Sequence, residues 1–138
     1  MNNRITSFEQ YQSEYKKSID SPEQFWAEKA EDFHWRKKWD KVLEWNFTEP
    51  KVKWFIGGKM NITENCLDRH LKEKGEQIAI IWEPNNPNEK EIKLTYKELH
   101  EKVCLAATML KNNGAKKGDR ICIYMPMLPE LVIAVLAC

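Results

Sequence analysis

The sequence predicts a mixed α/β architecture, with a helical arm over residues 1–50 and strands alternating with helices over 51–138. Three observations carry this expectation. Upstream of Pro50 the chain has no glycine but holds four of its six tryptophans, set in amphipathic stretches. Downstream, short apolar runs bounded by Pro, Asn and Gly alternate with segments whose apolar residues recur at helical spacing. Finally, Arg120-Ile121-Cys122-Ile123-Tyr124 followed by an apolar helix is the strand-loop-helix order with which a parallel sheet opens.

Within the arm, Ser7 and Gln10 form a capping-box pair that starts a helix presenting Phe8, Tyr11 and Tyr15 on one side. A second helix starts at Ser21, with Pro22 at the first helical position, where its missing amide costs nothing, and Gln24 completing the box. Phe25, Trp26, Ala30 and Phe33 supply its apolar stripe, and Trp35, Trp39, Val42 and Leu43 continue irregularly toward Pro50. Residues 1–50 are therefore expected to lie over another surface as a helical arm.

In the second region, Asn61 and Glu64 are placed to cap a helix over 62–74 that ends at Gly75, with Leu67 and Leu71 on its buried face. A strand over 78–82, a loop over 83–90 and a strand around Ile92 and Leu94 make a hairpin. Thr95 caps the next helix with Glu98 as its reciprocal partner. Leu99, Val103, Ala106, Ala107 and Leu110 form the buried stripe until Asn113-Gly114 stops it. A turn over 116–119 then leads into a strand over 120–124. The last stretch, 131–138, is apolar on every face and carries no stop signal, so it is expected to pack against segments absent from this sequence.

Composition narrows the function classes. A hydrophobic content of 42% can build a core, while 31% charged residues leave much of the chain polar. The net charge of +1 provides neither a basic stripe for nucleic acid nor a polybasic membrane signal, so neither is an expected partner. The N-terminus leads to no apolar signal core, and the final apolar run is far below the ~18 residues of a membrane span, which makes the cytoplasm the expected compartment. There Cys66, Cys104, Cys122 and Cys138 would be reduced and mostly buried.

Several motifs suggest chemistry and resolve more simply as structure. Gly57-Gly58-Lys59 has glycine amides and a lysine, but a phosphate loop needs four residues between its glycines and a Ser or Thr after the lysine, where this chain has Met60. Cys66 and His70, and His100 and Cys104, each stand four apart on a predicted helix and could face a zinc ion, yet two strands and a loop separate the pairs. His70 is expected to bond to its neighbours, and His34 to lie at the surface. Every serine lies at or before Ser21, which leaves no serine nucleophile for the α/β portion. Asp119 and Glu83, near strand ends, are expected to cap turns.

The most informative stretch is residues 54–70, WFIGGKMNITENCLDRH, where paired aromatics, paired glycines, a capping asparagine and an Asp-Arg-His end occur together. On both sides stand Tyr11, Ser18, Ser21-Pro22, Phe25-Trp26, Ala79-Ile80-Ile81-Trp82-Glu83, Thr95-Tyr96 and Glu98-Leu99. Further on come Lys117-Gly118-Asp119-Arg120, Tyr124-Met125-Pro126-Met127, Pro129-Glu130 and Leu136-Ala137-Cys138. With these residues the chain resembles the N-terminal signature of the AMP-forming acetyl-coenzyme A synthetases, within the adenylate-forming acyl-CoA synthetase superfamily. The resemblance covers nearly the whole chain but only the opening minority of a family sequence. It implies the opening units of an incomplete large domain, preceded by the arm.

What the resemblance implies for the complete protein is activation of acetate by ATP and magnesium to acetyl-adenylate, with release of pyrophosphate and transfer of the acetyl group to coenzyme A. The partners implied are the remainder of the synthetase chain and the small molecules acetate, ATP and CoA. The family's phosphate loop, ribose-binding aspartate, adenylating lysine and CoA-contacting arginines lie in later segments. No catalytic, cofactor-binding or metal-binding role is therefore carried onto any residue here, and the segment is expected to be inactive alone. Propionyl-CoA synthetases share most of the pattern. A short non-catalytic interaction module derived from the family is the alternative, with the apolar C-terminal helix as a docking or self-association surface.

Overall fold

In the computed structural model, which describes residues 4–138, Ser7 opens helix α1 (Phe8–Asp20) by accepting a hydrogen bond from the Gln10 amide at 3.1 Å. The reciprocal half of the expected box is displaced by one residue, because Gln10 Oε1 accepts from the Thr6 amide at 2.9 Å. Phe8, Tyr11 and Tyr15 do line one side, stacked with ring centroids 6.1 Å apart at each step. Helix α2 (Pro22–Ala30) has Pro22 in its first turn as expected, but the Ser21 side chain makes no capping bond, and Gln24 turns instead to Glu28 at 3.1 Å.

The remainder of the expected arm is not helical. Strand β1 (Lys41–Asn46) pairs antiparallel with β2 (Lys51–Ile56), in register from Lys41 opposite Ile56 to Asn46 opposite Lys51. Pro50 thus stands in a tight turn between paired strands, where its missing N–H costs no ladder bond. Asn46 Oδ1 fixes that turn by accepting from the Thr48 amide at 2.9 Å. The irregular spacing after Trp35 was the trace of this hairpin: Val42 and Leu43 are buried, and the β-branched and aromatic residues of both strands favour pairing.

The chain divides into two compact units, Met1–Asn61 and Ile62–Cys138. The second opens with a segment expected to form one helix over 62–74, which the structure breaks into α3 (Ile62–Cys66), a 3₁₀ turn (Asp68–His70) and α4 (Leu71–Lys74). Leu67 stands at the break with φ −118° and ψ −69°, and its side chain, 1% exposed, is the most deeply buried large side chain of the described residues. Gly75 follows α4 as expected, but in right-handed helical conformation.

The expected hairpin forms from β3 (Ile78–Trp82) and β4 (Ile92–Thr95), antiparallel with a bulge between Ile78 and Ile80. Helix α5 (Tyr96–Asn112) has the complete capping box: the Glu98 amide donates to Thr95 Oγ1 at 3.2 Å and the Thr95 amide to Glu98 Oε2 at 2.8 Å. Its C-terminus closes as a Schellman motif, with Ala115 N–H bonded to Leu110 O, Gly114 N–H to Lys111 O, and Gly114 at φ +90°. Asp119 Oδ2 accepts from the Lys116 amide at 2.8 Å, so the 116–119 turn and the capping role of Asp119 are as read.

Besides the broken helix, two further expectations fail in this unit. Residues 120–124 form no strand, because a strand exists only where a neighbour completes its hydrogen bonds and no described strand runs beside this one. All four cysteines lie in this unit and are exposed, since so small a unit has little interior to hold them. Helix α6 (Pro129–Ala137) buries Pro129 and Ile133, while Val132 and Val135 remain exposed. Its place is fixed by Thr63, whose hydroxyl donates to Leu136 O at 2.9 Å, and by Trp82 Nε1, which donates to Met127 O at 2.7 Å. The core of the unit is Leu67, Leu94, Leu99, Val103 and Ile133, packed on by Ile80, Tyr96 and Leu136.

The Thr95 amide, and then its hydroxyl, hold the Glu98 carboxyl below the ordinary glutamate range. A depressed folded-state value means that the carboxylate's contribution is complete above the unfolded value and is lost as pH falls through the folded one. Glu98→Gln should therefore be less stable than the parent at neutral pH and converge with it only below the usual carboxylate range. Urea midpoints followed by circular dichroism across pH check this; a difference independent of pH would contradict it.

Candidate functional site

The signature over 54–70 spans the boundary between the units, so its two ends are described separately. In the first, Ile56 ends β2 by accepting from the Asp40 amide at 2.8 Å, and the chain turns through Gly57 and Gly58, with Gly58 N–H donating to Phe55 O at 2.9 Å. Lys37 and Lys59 then exchange backbone bonds of 3.1 and 2.8 Å, locking the turn against the segment before β1. Phe55 sits at φ +48° and Gly57 at φ +77°, so a bulky residue carries a left-handed backbone beside a glycine that does so freely. The Phe55 ring is held between Trp35 and Trp39, at centroid distances of 5.3 and 5.2 Å.

Each glycine answers a specific contact. A Cβ at Gly58 would lie 2.7 Å from Trp35 Cζ3 and 2.9 Å from Phe55 O; one at Gly57 would lie 2.0 Å from Asp40 Oδ2. Lys37 Nζ stands 3.1 Å from the same Asp40 oxygen. Paired amides could serve a phosphate, but a carboxylate packed on the turn repels one, and the nearby ammonium is already engaged with it. The turn does not fit a nucleotide cradle.

The other end gathers charged and aromatic groups around the start of α5. Asp68 Oδ1 lies 3.5 Å from His100 Nε2, which lies 3.6 Å from Cys104 Sγ. His70 packs its ring on Tyr96 at 5.6 Å rather than on its sequence neighbours, and Arg69 Nη1 donates to the buried Asn65 at 3.2 Å. His34 is exposed. The Cys66/His70 and His100/Cys104 pairs do not converge: among the described residues no three His, Cys, Asp or Glu side chains are grouped as a metal ion requires. What sequence reasoning missed is the Asp68–His100 contact, for which neither residue gave a signal, because it joins elements separated by the β3–β4 hairpin.

The fold and these turns define a mixed α/β scaffold of strand-helix units. The structure is similar to an acetoacetyl-CoA synthetase from Streptomyces lividans, with a TM-score of 0.79 and 27% identity over 88% of this chain and 19% of that one. A family profile described as the acetyl-coenzyme A synthetase N-terminus matches residues 11–66, and one described as AMP-binding enzyme matches residues 67–138. The chain belongs to the AMP-binding enzyme family, and its first part matches the N-terminus of the acetyl-coenzyme A synthetases. Acetyl-coenzyme A synthetases of Bdellovibrio bacteriovorus and Leptospira biflexa are each 53% identical to it, over 93% and 96% of this chain. That of Magnetococcus marinus is 51% identical over 99%. The chain spans about a fifth of the length of these relatives, 20% to 21%. No helix among the described residues is long and apolar enough to cross a membrane.

The two glycines should differ in their response to alanine. At Gly57 the clash is with the end of a flexible side chain, which leaves chiefly the left-handed backbone cost of roughly 1–2 kcal/mol. At Gly58 the obstacles are backbone and an indole whose Nε1 donates to Ala30 O at 2.9 Å, so overpacking of about 1–3 kcal/mol applies. Gly58→Ala should also disturb the tryptophan emission of the parent fold, which Gly57→Ala should leave nearly unchanged. Denaturation followed by tryptophan fluorescence distinguishes the two, and equal emission changes would contradict the assignment.

Proposed function

We propose that this chain is the N-terminal segment of an ATP-dependent acetate-CoA ligase, which makes acetyl-CoA through an acetyl-adenylate and releases AMP and pyrophosphate. The observation that carries this reading is the 51–53% identity to acetyl-coenzyme A synthetases over 93–99% of the chain. ATP, magnesium and coenzyme A are cofactors and substrates of the whole protein, which acts in the cytoplasm. The segment itself is scaffold. Its glycine turn packs on tryptophan and aspartate, its charged turn packs on α5, and the chemistry belongs to the remainder of the synthetase.

The test separates the two halves of this reading. Calorimetry of the 138-residue chain with ATP and magnesium should give no binding, and micromolar binding would overturn the scaffold role. The full-length protein carrying the segment should catalyse acetate-dependent exchange of pyrophosphate into ATP. Exchange that responds to propionate but not to acetate would move the assignment to a propionate ligase; exchange with neither acid would remove the ligase reading.

The remainder of the synthetase is the partner expected for the apolar surface of α6. In its absence the chain should self-associate through that surface, where Val132 and Val135 stand exposed near the C-terminus and Ile121, Met125 and Met127 are exposed just upstream. Sedimentation should show a concentration-dependent dimer that Val135→Glu disrupts; a monomer at all concentrations would contradict this.

A further inference from the structure

Asn113-Gly114 is the one Asn-Gly pair in the sequence, and it closes α5. Asn113 has φ −88° and ψ 12°, and Gly114 takes φ +90° in open space, so the glycine serves the left-handed backbone rather than a close approach. Both residues face solvent. The two nitrogens that matter chemically are nevertheless tied to the last turn of the helix: Gly114 N–H donates to Lys111 O at 3.0 Å and Asn113 Nδ2 to Met109 O at 2.8 Å. Ala115 N–H completes the cap by donating to Leu110 O at 3.1 Å.

We propose that Asn113 is a deamidation site gated by the α5 cap: water converts its amide to aspartate and isoaspartate only from the frayed end of the helix. In that open state ψ of Asn113 turns away from 12°, and the Gly114 nitrogen, losing its proton to water or hydroxide, brings its electron pair to Asn113 Cγ. The Cγ–Nδ2 bond breaks, and its electrons leave with ammonia, which takes up a proton from water. A five-membered imide remains. Water then adds to one of its two carbonyls: breaking the Cγ–N bond gives aspartate, and breaking the backbone C–N bond gives isoaspartate. One water is consumed and one ammonia released, so no oxidant or reductant is needed. Glycine matters at the second position because a side chain there crowds the attacking nitrogen, as it does after Asn46, Asn61, Asn65 and Asn112.

The change runs one way. Isoaspartate carries the backbone through the side chain and lengthens it by one carbon, which takes the amides of residues 114 and 115 out of register with the Lys111 and Leu110 carbonyls. Aspartate loses the donor to Met109 O and puts a negative charge at the negative end of the helix dipole. Either product unlatches the last turn of α5, and the closed cap is what protects the parent chain.

This inference is independent of the ligase reading. The 138-residue chain is incubated at mildly alkaline pH, in native buffer and in guanidinium chloride, and aspartate and isoaspartate at each asparagine are quantified by mass spectrometry after digestion at acidic pH. In guanidinium chloride Asn113 should convert faster than Asn112. In native buffer Asn113 should convert at least about tenfold more slowly than in guanidinium chloride, since only the open fraction reacts. Ala115→Pro leaves the Asn-Gly pair intact and removes one donor of the cap. It should raise the native-buffer rate toward the unfolded one and leave the rate in guanidinium chloride unchanged. The parent comparison decides the matter even if that variant unfolds. Equal Asn113 rates in the two solvents would overturn the proposal. So would an Asn113 no faster than Asn112 in guanidinium chloride, or an unchanged native-buffer rate in a folded Ala115→Pro chain.

Discussion

The second unit depends on the burial of one leucine. Leu67, 1% exposed, is where α3 ends and the 3₁₀ turn begins, and the side chains around it come from β4, α5 and α6. Keeping residues 62–74 as one straight helix would continue a single stripe. Interrupting it at Leu67 lets that side chain enter the core while Asp68, Arg69 and His70 fan outward from the tighter turn, where side chains three apart eclipse. The helical break, the orientation of α5 and the seat of Ile133 on α6 are consequences of the same burial. Removing a leucine of this kind typically costs about 2–5 kcal/mol, a large share of a small domain's stability.

The first unit has no equivalent. Its buried apolar residues are Ala30, Val42 and Leu43, and its larger apolar surface consists of rings that remain half exposed. Trp35, Trp39 and Phe55 meet at centroid separations of 4.9 to 5.3 Å, and Trp26 meets Trp54 at 5.9 Å. Such edge and tilted contacts contribute roughly 0.5–1.5 kcal/mol each beyond area burial. A positive φ at Phe55 is tolerable only because these rings and the adjacent glycines hold the turn from several sides. The signature's aromatic and glycine residues are thus explained together: Gly58 makes room for the Trp35 indole that the strained phenylalanine packs against, and Gly57 for the Asp40 carboxylate.

Legibility from sequence followed the range of the interaction concerned. The Thr95–Glu98 box, the Asn113-Gly114 stop, the 116–119 turn and the β3–β4 hairpin were readable because each is settled within a few residues of chain. The β1–β2 hairpin was missed because its turn, Phe47-Thr48-Glu49-Pro50, contains no glycine, and its apolar residues begin within the same irregular run as Trp35 and Trp39. Residues 120–124 have the composition of a strand and lack the pairing, since composition belongs to one segment and pairing to two. The Ser21–Gln24 box had the right spacing, but the Ser21 N–H is already donated to Lys17 O at the end of α1, at 3.0 Å, and the Gln24 side chain turns to Glu28.

The charged end of the signature shows how a functional-looking pattern can be absorbed by packing. From sequence, Cys66 and His70 stood four apart like half of a zinc site, beside the charged pair Asp68 and Arg69. In the fold, Arg69 serves the buried Asn65, His70 lies against Tyr96 at the first turn of α5, and Asp68 meets His100 one turn later. Two of the three therefore hold the 3₁₀ turn against α5 at successive turns. These contacts cross the β3–β4 hairpin in sequence, so only the folded chain brings them together.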